Sequence, residues 1–172
     1  MAYRTRTYIA ADWEHDKDVV DYLRRLNDSD YFRLDFVDAH EWKQAKDTSL
    51  ACTIKKSLSE RLNGSKNFIL IVSNTTDTRR SGSCQYCHSY NSIYGTCRAG
   101  GHVDMRSFIQ YECEKAVRDN MKIVVIYKSS RLETHLCPEI LKKCGTHVPA
   151  YKYDSSGILH WNIKGMTEAI NN

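Results

Sequence analysis

Apolar residues recur along the chain in two alternating rhythms. Four short runs predict strands, Thr7–Ala11, Leu34–Val37, Phe68–Val72 and Ile123–Tyr127, and the last two are continuous apolar runs of the kind buried in a sheet. Between them apolar positions return every three to four residues. Val19, Tyr22, Leu23 and Leu26 form one stripe, Leu50, Ile54, Leu58 and Leu62 a second, and Ile109, Cys113, Ala116 and Val117 a third, each predicting an amphipathic helix. Polar punctuation sets the ends. Asp16 or Asp18 caps the first helix, the second begins near Asp47-Thr48 and closes at Asn63-Gly64, and Asp119-Asn120 breaks the third. Beyond Tyr127, Pro138 opens a short helix ending at Gly145, and Val148–Tyr153 predicts a fifth strand, at a sheet edge because of Pro149. A turn at 154–157 and a last helix around Ile163, Met166 and Ile170 complete the chain.

Strands alternating with helices predict an α/β fold, flavodoxin-like, with a mainly parallel five-stranded sheet and helices on both faces. One domain over residues 1–172 fits this length. Ligands of such sheets bind outside the carboxyl ends of the strands. Those ends are followed here by Asp12–Asp16, Asp38–Lys46, Ser73 onward and the loop entering the third helix, where most of the unusual polar and aromatic residues lie. Glu112 falls in what the pattern makes the first turn of that helix, where the helix end favours a carboxylate. One segment breaks the rhythm. Residues 77–104 form an insert rich in Ser, Gly, Tyr and Cys, and a loop that long tends to be functional or to be held by something.

Composition narrows the classes. The net charge of +4 comes from interspersed charges with no basic block, which withdraws support from nucleic-acid binding. The opening MAYRTRTYIAADW has no apolar signal region and no window approaches a membrane span, so a cytoplasmic protein without a membrane partner is expected. Seven cysteines, an odd number without an export signal, point to thiols or metal ligands rather than a disulfide framework. Cys84, Cys87, Cys97 and His102 in the insert supply the ligand types of a structural zinc site. A c-type haem motif, a redox C-x-x-C and a loop of free thiols stand beside that reading. Cys52, Cys113 and Cys144 fall on helix faces directed at the core, as small apolar fillers, while Cys137 has no assigned role.

Four pieces carry a family resemblance: YIAADWEHD at the first strand, FVDAHEWKQAKDTS after the second, ILIVSNTTDTRR after the third, and the block Phe108-Ile109-Gln110-Tyr111-Glu112 followed by IVVIY. In order and spacing the chain resembles bacterial TIR-like domains, closest to the TIR component of Thoeris anti-phage defence. The resemblance implies cleavage of the nicotinamide–ribose bond of NAD, in the manner of an NAD nucleosidase or ADP-ribosyl cyclase. It also implies a cyclic ADP-ribose-type signal, a separate effector protein and self-assembly. By position Glu112 matches the family's catalytic glutamate. Phe108 stands where the family usually has Trp, and Ala10-Ala11-Asp12 where Ser or Phe often occurs.

The chemistry asks little of the protein. Nicotinamide leaves as a neutral molecule and the ribose acquires oxocarbenium character, which one nearby carboxylate stabilises. Trp13, His40 and Trp42 are candidates to stack on the bases, and His40 or Arg79-Arg80 to meet the pyrophosphate. Ala11, Asp12, Asp38, Ser73, Asn74 and Phe108 complete the expected substrate-binding set. Two other functions fit the same residues: a non-catalytic TIR-like binding or assembly module, and a nucleotide sensor in which Glu112 is structural.

Overall fold

The computed structural model describes residues 5–29, 31, 34–38, 50–76 and 81–172; the side chains of Thr5, Trp13 and 34–38 are outside that description. The elements run β1 (Thr5–Ala10), α1 (Trp13–Asp28), β2 (Leu34–Asp38), α2 (Ala51–Asn63) and β3 (Asn67–Val72). A small hairpin follows, β4 (Tyr90–Asn91) and β5 (Thr96–Cys97), then α3 (Phe108–Arg118), β6 (Lys122–Tyr127) and β7 (Thr146–Pro149). A second hairpin, β8 (Tyr151–Tyr153) and β9 (Leu159–Trp161), precedes α4 (Ile163–Asn171).

The main sheet has five strands in the order β2-β1-β3-β6-β7, every neighbouring pair parallel. This is the flavodoxin-like order the pattern predicts. Alternate side chains on the central strands enter two cores. Tyr8, Phe68, Leu70, Val72 and Val125 pack with Leu58 and Leu62 of α2 and Ile109, Cys113 and Ala116 of α3. Ile9, Ile69, Ile71, Val124 and Ile126 face Val19, Val20 and Leu23 of α1 and Met166, Ala169 and Ile170 of α4. Each such fully buried side chain contributes roughly 1.5–3 kcal/mol. The chain order reverses between β1 and β3, so the ligand crevice of this topology lies where Asp12 and Ser73 emerge.

Several boundaries depart from expectation. Neither Asp16 nor Asp18 caps α1: the helix begins at Trp13 and Asp12 occupies the cap position. Its carbonyl accepts the Asp16 N–H at 2.7 Å, while the buried Asp16 carboxylate accepts the Asp12 N–H at 3.0 Å. The expected helix at Pro138 is one 3₁₀ turn, Glu139–Leu141, which buries Leu141 alone and has no apolar stripe to extend it. The fifth strand ends at the edge, as Pro149 suggested, and the chain continues as the separate hairpin β8–β9 around the 154–157 turn. Cys113 is buried and Cys144 partly buried against the α2–α3 core, whereas Cys52 is half-exposed in the first turn of α2 and faces the insert instead.

Candidate functional site

Helix α3 begins too early for Glu112 to lie in its first turn, where the pattern places it. Ser107 is the N-cap, its hydroxyl accepts the Gln110 N–H, and the Gln110 side chain accepts the Ser107 N–H in return. This reciprocal cap fixes Phe108 as the first helical residue. Glu112 therefore lies in the second turn, where the field of the helix end is weaker. What supports its carboxylate is a side chain. Tyr8, on β1, donates its phenolic hydrogen to Glu112 Oε1. Both residues are buried, Glu112 at 4% exposure and Tyr8 at 0%, and the Tyr8 ring stacks on Phe68 of the neighbouring strand at 5.9 Å between centroids. A carboxylate so placed has one lobe committed to the protein, and charge stabilisation there is stronger than in water.

Above β1 and β3 a hydroxyl-rich rim surrounds Asp12. Thr75 Oγ1 donates to Asp12 Oδ2 at 2.8 Å, and His15 Nδ1 lies 3.0 Å from the same oxygen. Ser73 and Thr75 hydroxyls are 3.3 Å apart, and the Ser73 N–H donates to Thr76 Oγ1 at 2.9 Å, which holds the β3 exit in a tight turn. Burial pushes the Asp16 carboxyl up, against hydrogen bonds from the Ser73 hydroxyl and the Asp12 N–H. Lys128, at the end of β6, reaches the His15 carbonyl and Asp18 and so ties α1 to the same sheet end.

Phe108 is positioned from the insert side. Gly82 has φ +95°, and a Cβ there would sit 2.5 Å from Cδ1 of the Phe108 ring, while the Phe108 N–H donates to the Ser81 carbonyl at 2.8 Å. Only glycine tolerates both the backbone and the ring. Gly82→Ala is expected to lower stability by about 2 kcal/mol and to displace Phe108, which a thermal-unfolding comparison and the ring's fluorescence environment would report. Beside the start of α3 lies a cleft of ≈ 280 Å³ lined by Thr76, Ser107, Ile109, Gln110, Pro138 and Ile140, with Glu114 and Glu139. Glu112 does not line it.

The structure thus gathers Asp12 and Ser73 at one rim and Glu112 with Phe108 on one helix. Ala11 is half-buried against the α1 side, and Asn74 is exposed. Trp13 is the first residue of α1 and Asp38 the last of β2, with side chains outside the described residues; His40, Trp42, Arg79 and Arg80 lie wholly outside them. The expected metal set does not come together, since no three of Cys84, Cys87, Cys97 and His102 bring ligand atoms within 4.8 Å of one another. Cys84 turns inward, is buried and accepts the Asp104 N–H at 3.2 Å, while Cys97 lies against Gly101 on the α2 side and His102 is exposed. Among the described residues the group with that spacing is Asp12, Glu14 and His15. Its hydrogen bonds to Thr75 and within itself, at a helix N-terminus that disfavours cations, account for it without an ion.

Other hydrogen bonds and ion pairs hold the insert. Its ends are joined by the Cys84 N–H to the Asp104 carbonyl at 3.0 Å. Lys55, buried on α2, donates to the Asp104 and Arg106 carbonyls at 3.2 and 2.6 Å and pairs with Asp104 Oδ1 at 3.2 Å. Arg106 brackets Asp104 with Nε and Nη2 and reaches Glu114.

Sequence reasoning overlooked Tyr8, Thr75, Gly82 and Lys55. The signal for Tyr8 was present: a tyrosine in a strand covered on both faces must find a partner for its hydroxyl. Tyr8→Phe is expected to cost about 1 kcal/mol of stability, measured by denaturant unfolding, because the buried carboxylate loses a donor.

A parallel sheet of this order, with its crevice between β1 and β3, defines a flavodoxin-like α/β domain. The family model described as Thoeris protein ThsB, TIR-like domain, matches residues 7–81, from β1 to just past the β3 exit. That match is to the family the motifs resemble, and it takes in three of the four pieces that carry the resemblance, all but the block at Phe108–Glu112. No curated protein matches the sequence. No helix among the described residues is long and apolar enough to cross a membrane.

Proposed function

We propose that the chain is a NAD-cleaving enzyme of Thoeris-type anti-phage defence, in which Glu112 stabilises the ribosyl cation as nicotinamide leaves. One observation carries this reading: a buried glutamate, held by the Tyr8 hydroxyl of β1, in a chain of which residues 7–81 match the ThsB TIR-like domain. The Tyr8 bond orients the carboxyl group, which accepts from the ribose hydroxyls as the bond to nicotinamide breaks. Ala11, Asp12, Trp13, Asp38, His40, Trp42, Ser73, Asn74 and Phe108 bind the nucleotide around it. Attack by water gives ADP-ribose; attack by a group of the adenine gives a cyclic product, the form that serves as a diffusible signal to a separate effector.

The test is incubation of the concentrated chain with NAD, with nicotinamide followed by chromatography and the second product by mass spectrometry. Equimolar nicotinamide and a cyclic ADP-ribose isomer support the reading, while linear ADP-ribose alone supports cleavage without the signal. The burial of Glu112 favours one competitor, a carboxylate that only supports the fold of a binding module. Nucleotide binding without any nicotinamide release, in the purified chain and in lysate of phage-infected cells, would establish that alternative.

A further inference from the structure

The cysteine pattern of the insert resolves into a pair that its spacing did not suggest. Gly101 is packed so that a Cβ built on it would lie 2.8 Å from Cys52 Sγ and 3.5 Å from Cys97 Sγ. Two sulfurs separated by 45 positions in sequence, one in the first turn of α2 and one at the end of the β4–β5 hairpin, thus touch the same small volume. Both cysteines are free and half-exposed, so small reagents reach them, and no side chain of Gly101 intervenes. The neighbouring thiols are differently placed. Cys84 is buried and bonded to the Asp104 N–H, and Cys113 and Cys137 lie in the core.

We infer that Cys52 and Cys97 form a redox-responsive dithiol, which a low-molecular-weight disulfide such as oxidised glutathione converts to an intramolecular disulfide that pins the insert to α2. The step balances as thiol–disulfide exchange. One cysteine thiolate attacks a sulfur of the small disulfide and expels one small thiolate, leaving a mixed disulfide. The second cysteine thiolate attacks the protein sulfur of that bond, forms Cys52–Cys97 and releases the second small thiolate. The protein pair is oxidised, the small disulfide is reduced, and the two cysteine protons end on the two leaving thiols. Cys52 lies in the first turn of α2, so the bond fixes the insert beside the start of that helix. None of this rests on NAD cleavage.

The full chain would be incubated with oxidised glutathione, its remaining thiols alkylated, and its peptides mapped by mass spectrometry. Two of the seven thiols should escape alkylation, joined as a Cys52–Cys97 peptide, and Cys52→Ser or Cys97→Ser should each abolish the cross-link. Arg98, exposed in the insert beside Cys97, provides the second readout: tryptic cleavage there should slow by about tenfold on oxidation and recover with dithiothreitol. A bond mapped to Cys84–Cys87, retention of all seven alkylated thiols, or cleavage at Arg98 unchanged by the bond would overturn the inference.

Discussion

Glu112→Gln is expected to lower nicotinamide release from NAD by at least about a hundredfold while leaving the protein folded. Removing one preorganised group at a developing charge typically costs two to three orders of magnitude in rate. Glutamine keeps the shape and an oxygen that accepts the Tyr8 hydroxyl, so the packing of α3 on β1 survives. What the proposed mechanism loses is the carboxylate that stabilises the ribosyl cation. The comparison is made on purified proteins matched by circular dichroism and melting temperature. Tyr8→Phe provides a graded control, because it leaves the charge and removes only its orienting bond; a loss of about tenfold is expected there. A Glu112→Gln protein as active as the parent would remove Glu112 from the mechanism.

The second large effect belongs to Lys55. Replacing it with Met keeps the length of the chain and removes the ammonium that meets Asp104 and two carbonyls. Breaking one side of a buried pair leaves the other uncompensated, and about 3 kcal/mol of stability should be lost, concentrated at the insert. Burial pushes the Lys55 ammonium towards its neutral form, opposed by Asp104, so the pair is finely poised. Burial also acts to raise the Asp104 carboxyl, but the Arg106 hydrogen bonds and the Lys55 charge outweigh it and hold that carboxyl well below the usual range. A depressed folded value means the stabilisation is present above the ordinary aspartate value near about 4 and is lost as pH falls through the lower folded one. The insert should therefore stay closed from neutral to mildly acidic pH. Hydrogen exchange over residues 81–103 would show protection unchanged down to that range in the parent, and fast exchange at every pH in Lys55→Met. Equal protection in both would show that other contacts hold the segment.

Much of the fold was legible because its signals are local. The apolar runs of β3 and β6 are buried as read, as are the stripes of α1 and α3 apart from the half-buried Tyr22 and Val117, and their alternation sufficed for the flavodoxin-like order. The start of α3 was legible too, and it shows that Glu112 does not belong to the first turn. Ser107-Phe108-Ile109-Gln110 has the capping-box spacing, which places the helix start at Phe108 and Glu112 in the second turn. The site was legible only in part, because its bonds span the chain. Tyr8 and Glu112 are 104 positions apart, Thr75 and Asp12 63, and Lys55 and Asp104 49. No periodicity encodes such pairs. Cys84 and Cys87 looked alike in sequence, yet the 3₁₀ turn at Cys84–Tyr86 sends one sulfur into the core side and leaves the other half-exposed.

The most direct test of the central claim is nicotinamide accumulation in phage-infected cells producing either the parent chain or Glu112→Gln at matched levels. The account predicts a rise in nicotinamide and a fall in NAD after infection with the parent chain, and neither with the variant. The same rise with both proteins, or with neither, would contradict a Glu112-dependent NAD-cleaving enzyme.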